Sequence, residues 1–461
     1  MRKLVLIALV HVCFGAFSQS IKDKLSLAIK TLENNSQCRH GIISLFVVNT
    51  KTGSAIFNKN AEIGLAPASC QKIITSVTAF ELLGKEYTYK TTLGYDGEIT
   101  GGKLAGNIII TGSGDPAIGS WRYKKTREDI ILDQFKQAIK NEGINEFTGK
   151  VITNDSKWET QTIPGGWIWE DIGNYYGAGA SGLNWRENQY DLILKSGKRI
   201  GDSVKIISTE PVCLQGINFI SELTSAGVGT GDNTIIYLPP GAQVGYIRGT
   251  IPVNENHFVI SGSLPDGAVQ LTSTLYNITH PDSLSKTSNL NQPAKALTKI
   301  FFTYTSPSLD SINYWFLKKS VNLYGEALVK TIAYEKTKFG STDTGINIIK
   351  DFWSKHGIEK TALNIFDGSG LSPANRVTTK TITAVLQYAK KQTWFSSFYN
   401  ALPEINGIKM KSGSIGGVLS YAGFIKSKNG NDYTFAFIIN NFNGRSASLK
   451  EKMWKLLDIL K

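Results

Sequence analysis

Apolar residues near the start of the chain change period twice. Leu25, Leu27, Ala28, Ile29 and Leu32 recur at helical spacing, which predicts a helix beginning at Ile21. The run Ile42 to Val48, the turn Asn49-Thr50-Lys51-Thr52-Gly53 and the segment Ser54 to Phe57 read as a strand hairpin. After Pro67, the positions Ile73, Ile74, Val77, Phe80 and Leu83 return to helical spacing, so a buried helix is expected over Ser69 to Leu83 with Gly84 as its stop.

From about Thr91 to Leu284 the pattern shortens. Gly- and Pro-rich turns, such as Gly112-Ser113-Gly114-Asp115-Pro116 and Pro239-Pro240-Gly241, separate strand-like runs at Asn107 to Thr111, Lys150 to Asn154 and Thr234 to Leu238. One helix, Asp129 to Asn141, interrupts them. The third zone is helical near Leu317 to Tyr334, Asp343 to His356 and Thr378 to Lys390. It then gives strands Gly417 to Lys426 and Tyr433 to Asn440, and a last helix from Ala447 to Leu460. These zones predict an α+β protein with boundaries at 1–18, 19–90, 91–284 and 285–461, the third segment being one or two inserted, mostly β domains.

Residues 1–18 read as an export signal. Arg2 and Lys3 precede the apolar run Leu4 to Phe17, and Ala16-Phe17-Ser18 offers small residues for cleavage after Ser18. That run is shorter than the roughly 20 residues a membrane-spanning helix needs, and Val12 before Cys13 does not suit lipidation. No later apolar stretch is long enough to span, so a periplasmic protein without a transmembrane segment in the mature chain is expected, with peripheral envelope association open.

At 461 residues with 41% hydrophobic content, the chain has material for about three domains, which excludes a disordered or disulfide-stapled protein. The net charge of +13 suits an anionic envelope, and export argues against nucleic acid. Cys38, Cys70 and Cys213 show no metal-ligand spacing, which leaves a Cys38–Cys213 disulfide or buried free thiols. The histidines occur singly, so neither a metal nor another cofactor is expected.

Ser69-Cys70-Gln71-Lys72 puts a hydroxyl and an amine on one face at a helix start. An alcohol becomes a nucleophile beside a base, and an amine serves when burial or nearby positive charge depresses its pKa. The pattern is common, and Ser283-Leu284-Ser285-Lys286 repeats it without a following apolar helix. Two companion motifs discriminate. Ser-x-Asn occurs at Ser311, Ser320 and Ser427, and Lys-Ser/Thr-Gly at Lys51, Lys195 and Lys411. Only Ser320-Val321-Asn322, between two helical segments, and Lys411-Ser412-Gly413, leading into an apolar strand, combine suitable order with suitable context. Gly177 to Gly182 also spells a dinucleotide-binding fingerprint, but it lacks a strand before it and a helix after it.

The triple resembles that of the low-molecular-mass class C penicillin-binding proteins of the penicillin-binding protein 4 type, the D-alanyl-D-alanine carboxypeptidase/endopeptidases. Supporting matches are Gly112 to Pro116, Asn154-Asp155-Ser156, Tyr176-Gly177-Ala178 with Ser181 and Asn188, Asn322 to Leu328, and Asp367 to Ser372 with Asn375. The resemblance implies a penicilloyl-serine transferase (DD-peptidase/β-lactamase-like) fold: a five-stranded antiparallel sheet flanked by helices, an all-helical subdomain and a large, mostly β insertion. Ser69 then corresponds to the acylated nucleophile, Lys72 to its base, and Ser320 and Asn322 to the proton relay and amide contact. Lys411, Ser412 and Gly413 correspond to the strand that binds the substrate carboxylate. The N–H groups of Ser69 and Ser414 correspond to the oxyanion hole.

Pro373 stands where many members have Arg, and Gly416 where some have Gln. Both positions bear on the third residue of the stem peptide, for whose amino group Asp155 is the remaining candidate contact; a turn-capping Asp is its ordinary reading. The implied partners are peptidoglycan stem peptides, with β-lactams as covalent inhibitors. A β-lactamase would share the motifs, and a catalytically silent murein-binding scaffold would have no need of Ser69 and Lys72.

Overall fold

The computed structural model describes residues 20–461 except 213, 215, 281–296 and 429. The expected leader, the second Ser-Leu-Ser-Lys match and Cys213 lie outside the described residues. Cys38 and Cys70 are buried free thiols.

The ends of the chain build one sheet together. Its strands run in the order Glu404–Ile405, Ile408–Ile415, Val418–Lys426, Asp432–Asn440, Ile42–Asn49, Ala55–Lys59. All neighbours are antiparallel, and Ile42 to Asn49 pair in continuous register with Asn440 to Tyr433. The expected five strands are present, and the two-residue strand Glu404–Ile405 makes a sixth at the edge. Val418–Lys426 is buried along both faces up to its last residue, as a central strand covered by two helical layers must be.

Leu419, Tyr421 and Ile425 face the terminal helices Ile21–Glu33 and Ser446–Leu457. Ser20 caps the first of these by accepting a hydrogen bond from Asp23 N, and Leu25, Ile29 and Leu32 form its buried stripe. Exposed Leu27 falls outside that stripe. On the other face, Ala422, Phe424 and Ile438 pack against Lys72–Leu83, Leu309–Lys318, Asn322–Thr337 and Thr379–Ala389. Truncating the fully buried Phe437 to alanine in this sheet costs about 3–5 kcal/mol.

The inserted zone resolves into two cores. One is α/β, with a sheet of Lys299–Thr305, Lys90–Tyr95, Ile108–Thr111 and Val151–Asn154 under the helices Glu128–Asn141 and Gly267–Thr279. The other is all β and joins two three-stranded sheets through Tyr190, Leu223, Ile236, Ile247 and Ile260. Two expectations are thereby corrected. The insertion does not end at 284, because Lys299–Thr305 pairs with Lys90–Tyr95 and closes its sheet. The zone also holds a short helix, Trp169–Ile172, and a longer one, Gly267–Thr279, that the sequence reading lacks; Asp266 caps the latter by accepting from Val269 N. The fingerprint segment from Gly177 to Gly182 starts at a 3-10 turn and runs on as loop to the short 3-10 turn Arg186–Asn188 and the strand Gln189–Lys195, with no α-helix opening behind it.

Candidate active site

Ser69, the candidate nucleophile, sits on a constrained turn. Ala68 adopts a left-handed φ of 45°, residues Ala68–Gln71 form one 3-10 turn, and the helix Lys72–Leu83 starts directly behind it. Three elements hold that turn. Ser420 Oγ donates to Pro67 O at 2.6 Å from the neighbouring strand. A Cβ on Gly413 would lie 2.7 Å from Ser69 N, and one on Gly370, whose φ is +81°, would lie 2.0 Å from Ala68 O. Only glycine permits either approach.

Lys72 is fully buried. Its Nζ lies 2.9 Å from Ser69 Oγ, 2.6 Å from Asn322 Oδ1 and 2.8 Å from Ser369 O. The last two neighbours are carbonyl oxygens and only accept. A neutral amine therefore donates its two N–H groups to them and aims its lone pair at the Ser69 hydroxyl. Burial, followed by the positive charge of Lys411, holds the Lys72 pKa well below the ordinary lysine value, against the opposing pull of Asp367 and Glu326.

A loop from Asp367 to Ser372 places the Ser369 carbonyl. Buried Glu326 accepts from Gly368 N and Ser369 N at 2.9 Å each, and burial with nearby Asp367 pushes its carboxyl up to about 8. Asp367 accepts from Gln71 Nε2 at 2.8 Å, Asn375 Nδ2 at 2.9 Å and Trp167 Nε1 at 2.9 Å. Trp167 belongs to the inserted zone, so that zone is fastened to the catalytic floor.

Ser69 opens into a cavity of about 550 Å³. Ser320, Asn322, Leu371 and Ser414 line it from the catalytic halves, and Arg122, Asp171, Tyr175, Tyr176 and Glu187 from the inserted zone. Ser320 takes a left-handed φ of 59° in the break between the helices Leu309–Lys318 and Asn322–Thr337. That conformation costs a non-glycine residue on the order of 1 kcal/mol and presents the side chain to the cavity. Asn322 Nδ2 donates to Tyr176 O at 2.7 Å, which ties the second motif to the opposite wall.

The expected residues divide into three groups. Ser69, Lys72 and Asn322 meet directly, and Ser320 and Ser414 face the same cavity. Lys411 does not line it. Its ammonium is 2% exposed, donates to Ser412 O at 2.8 Å, and is pushed down to about 8 by burial. Ser414 and Ile415 from that strand and Gly416 from the turn after it line the cavity; Ser412 and Gly413 are not among its lining residues. Asp155 is elsewhere. It lines a separate cavity with Glu159, Ser181 and Asp266, and its carbonyl accepts from Trp158 N at 2.9 Å in the turn leaving Val151–Asn154. The side chain that caps this turn is Asn154, whose Oδ1 accepts from Ser156 Oγ at 2.9 Å, and Asp155 is not among the residues lining the cavity of Ser69. Two acidic side chains line the cavity of Ser69: Glu187, paired with Arg122 at 2.8 Å, and Asp171, pushed up to about 6 by burial and by Glu170. No motif pointed to Asp171, Arg122 or Tyr175. Pro373 and Gly416, where the sequence departs from the family pattern, both line the cavity. Among the described residues, no group of three or more His, Cys, Asp or Glu side chains is placed to hold a metal ion.

Residues 28–458 match the D-Ala-D-Ala carboxypeptidase 3 (S13) family. A D-alanyl-D-alanine carboxypeptidase of Actinomadura sp. (strain R39) is 24% identical over 87% of this chain and 78% of its own. The D-alanyl-D-alanine carboxypeptidase DacB of Haemophilus influenzae is 23% identical over 89% and 88%. The crystal structure of penicillin-binding protein 4 from Haemophilus influenzae superposes with a TM-score of 0.78 at 20% identity, over 94% of this chain and 98% of that one. The same protein has also been solved complexed with a β-lactam, with a TM-score of 0.72. The fold is that of a penicilloyl-serine transferase, and the chain belongs to the D-Ala-D-Ala carboxypeptidase 3 (S13) family.

Proposed function

We propose that this protein is a serine-type D-Ala-D-Ala carboxypeptidase/endopeptidase that hydrolyses peptidoglycan stem peptides and their crosslinks through an acyl-enzyme on Ser69. The observation that carries the reading is the buried amine of Lys72, 2.9 Å from Ser69 Oγ and depressed in pKa, at the floor of an open cavity.

Lys72 takes the Ser69 proton as Oγ attacks the penultimate D-Ala carbonyl. The N–H groups of Ser69 and Ser414 receive the developing oxyanion. As the tetrahedral intermediate collapses, the C–N bond breaks and the leaving amine takes a proton relayed through Ser320. Water then attacks the ester, Lys72 again accepts the proton, and Ser69 is restored. Asn322 holds Lys72 and the substrate amide. Lys411 contributes positive charge from beneath the strand, which attracts the terminal carboxylate and suppresses protonation of Lys72. An endopeptidase step is the same reaction with a larger leaving amine.

β-Lactams acylate Ser69 by the same attack, with ring opening in place of departure. Export is part of the reading, supported by Arg2, Lys3 and the apolar run to Phe17. Among the described residues no helix is long and apolar enough to cross a membrane. The test is D-Ala release from a free stem pentapeptide and cleavage of a purified crosslinked dimer. Turnover that Ser69→Ala abolishes supports the reading, and an inert wild-type protein refutes it.

A further inference from the structure

The strands Asn218–Ala226, Asn233–Tyr237 and Val244–Pro252 form a sheet whose outer face mixes polar side chains with a row of exposed aromatic and aliphatic ones. Leu223, Ile236 and Ile247 point inward to the all-β core. On the opposite face, where a half-buried sheet ordinarily turns polar side chains to water, Tyr246 is 39% and Val244 44% exposed. Tyr237 stands directly opposite Tyr246 in the register. The Trp169 ring, 50% exposed, lies 5.8 Å from Tyr237. Arg248 lies over both tyrosine rings at 5.3 and 5.7 Å and pairs with Glu222 at 2.6 Å.

The surface is built against the catalytic cavity. Ile168 lines that cavity, and Trp169, the next residue, opens the short helix Trp169–Ile172. The segment that follows this helix lies along the edge strand Asn233–Tyr237, where Asn174 Oδ1 accepts from Ile236 N and a Cβ on Gly173 would meet Ile236 O at 2.0 Å. The aromatic row therefore begins one residue from the cavity lining.

We infer that this exposed sheet face is a binding surface for the glycan backbone from which the stem peptides hang. This rests on the proposed function, because the stem peptide enters the argument as the substrate. Pyranose rings present polarised C–H groups that stack on the negative faces of aromatic rings. The Arg248–Glu222 pair supplies donors and acceptors for hydroxyl and acetamido groups at the edge of the stack. Exposed apolar area of this kind marks a recognition surface, and its continuity with the cavity selects the polymer that already occupies the cavity.

The test uses the full mature chain, glycan strands stripped of peptides, and stem pentapeptides both free and glycan-linked. Wild-type protein binds the stripped strands, and Tyr246→Ala or Arg248→Ala weakens that binding about tenfold. Both variants release D-Ala from free pentapeptide at the wild-type rate, while their KM for glycan-linked stems rises and kcat holds. Failure of the wild-type protein to bind stripped strands overturns the inference, as does unchanged binding by both variants. A dimer that Tyr246→Ala disperses, without glycan binding, identifies the face as a self-association surface and also overturns it. Glycan binding without D-Ala release from any substrate leaves this inference standing and defeats the proposed function.

Discussion

Lys72 and Lys330 are both fully buried, and the contrast between their surroundings separates a reactive amine from a structural one. Lys330 forms an ion pair with Glu159 at 3.1 Å and donates to Gln161 O and Ala180 O at 2.6 and 2.9 Å. It clamps the inserted zone to the helix Asn322–Thr337. Burial lowers its pKa, but contact with Glu159 opposes the shift. Lys72 touches only neutral oxygens, and the nearest cation adds to the effect of burial. A buried amine becomes a base when it is denied a counter-ion in direct contact.

The two methionine replacements break this comparison in opposite ways. Lys72→Met slows acylation of Ser69 by about 10²–10⁴-fold, as loss of a general base does, and leaves the melting temperature close to wild type. Lys330→Met strands Glu159 and two carbonyls, so it lowers stability by about 3 kcal/mol in a denaturation curve. The folded fraction still acylates at nearly the wild-type rate. Next in size is Gly370→Ala. Its methyl group meets Ala68 O, shifts the nucleophile turn, and reduces acylation by about 10²-fold in stopped-flow labelling.

The pH profile sharpens the contrast further. Activity needs Lys72 neutral, so kcat/KM rises with pH through the depressed Lys72 pKa. Carboxylate recognition needs Lys411 cationic, so the profile falls above a pH of about 8. Lys411→Arg keeps its charge and moves the falling limb to higher pH. Smallest is Tyr175→Ala on the inserted wall, which raises KM for a stem peptide about fivefold with kcat unchanged.

Much of the catalytic floor was legible in the chain because it is local. Ser69 and Lys72 meet through helical spacing, and the order of the three motifs selects Ser320 and Lys411 over their repeats. The opposite wall was not legible. Arg122, Asp171 and Tyr175 come from a turn, a four-residue helix and a 3-10 turn too short to leave a periodic pattern, and long-range ties such as Trp167 to Asp367 and Lys330 to Glu159 carry that wall to the cavity. The helix 267–279 escaped for a local reason: Pro265-Asp266-Gly267 reads as a turn, yet Asp266 works as a cap and Gly267 as the first helical residue. Lys411 shows the converse, since its motif is placed as expected while its side chain lies beneath the cavity wall.

The most direct measurement is to incubate the mature protein with a fluorescent penicillin, separate it on a denaturing gel and map the labelled peptide. The account predicts one stable adduct, on Ser69, absent from Ser69→Ala and forming slowly in Lys72→Met. An adduct on another residue, or labelling that survives Ser69→Ala, would contradict it.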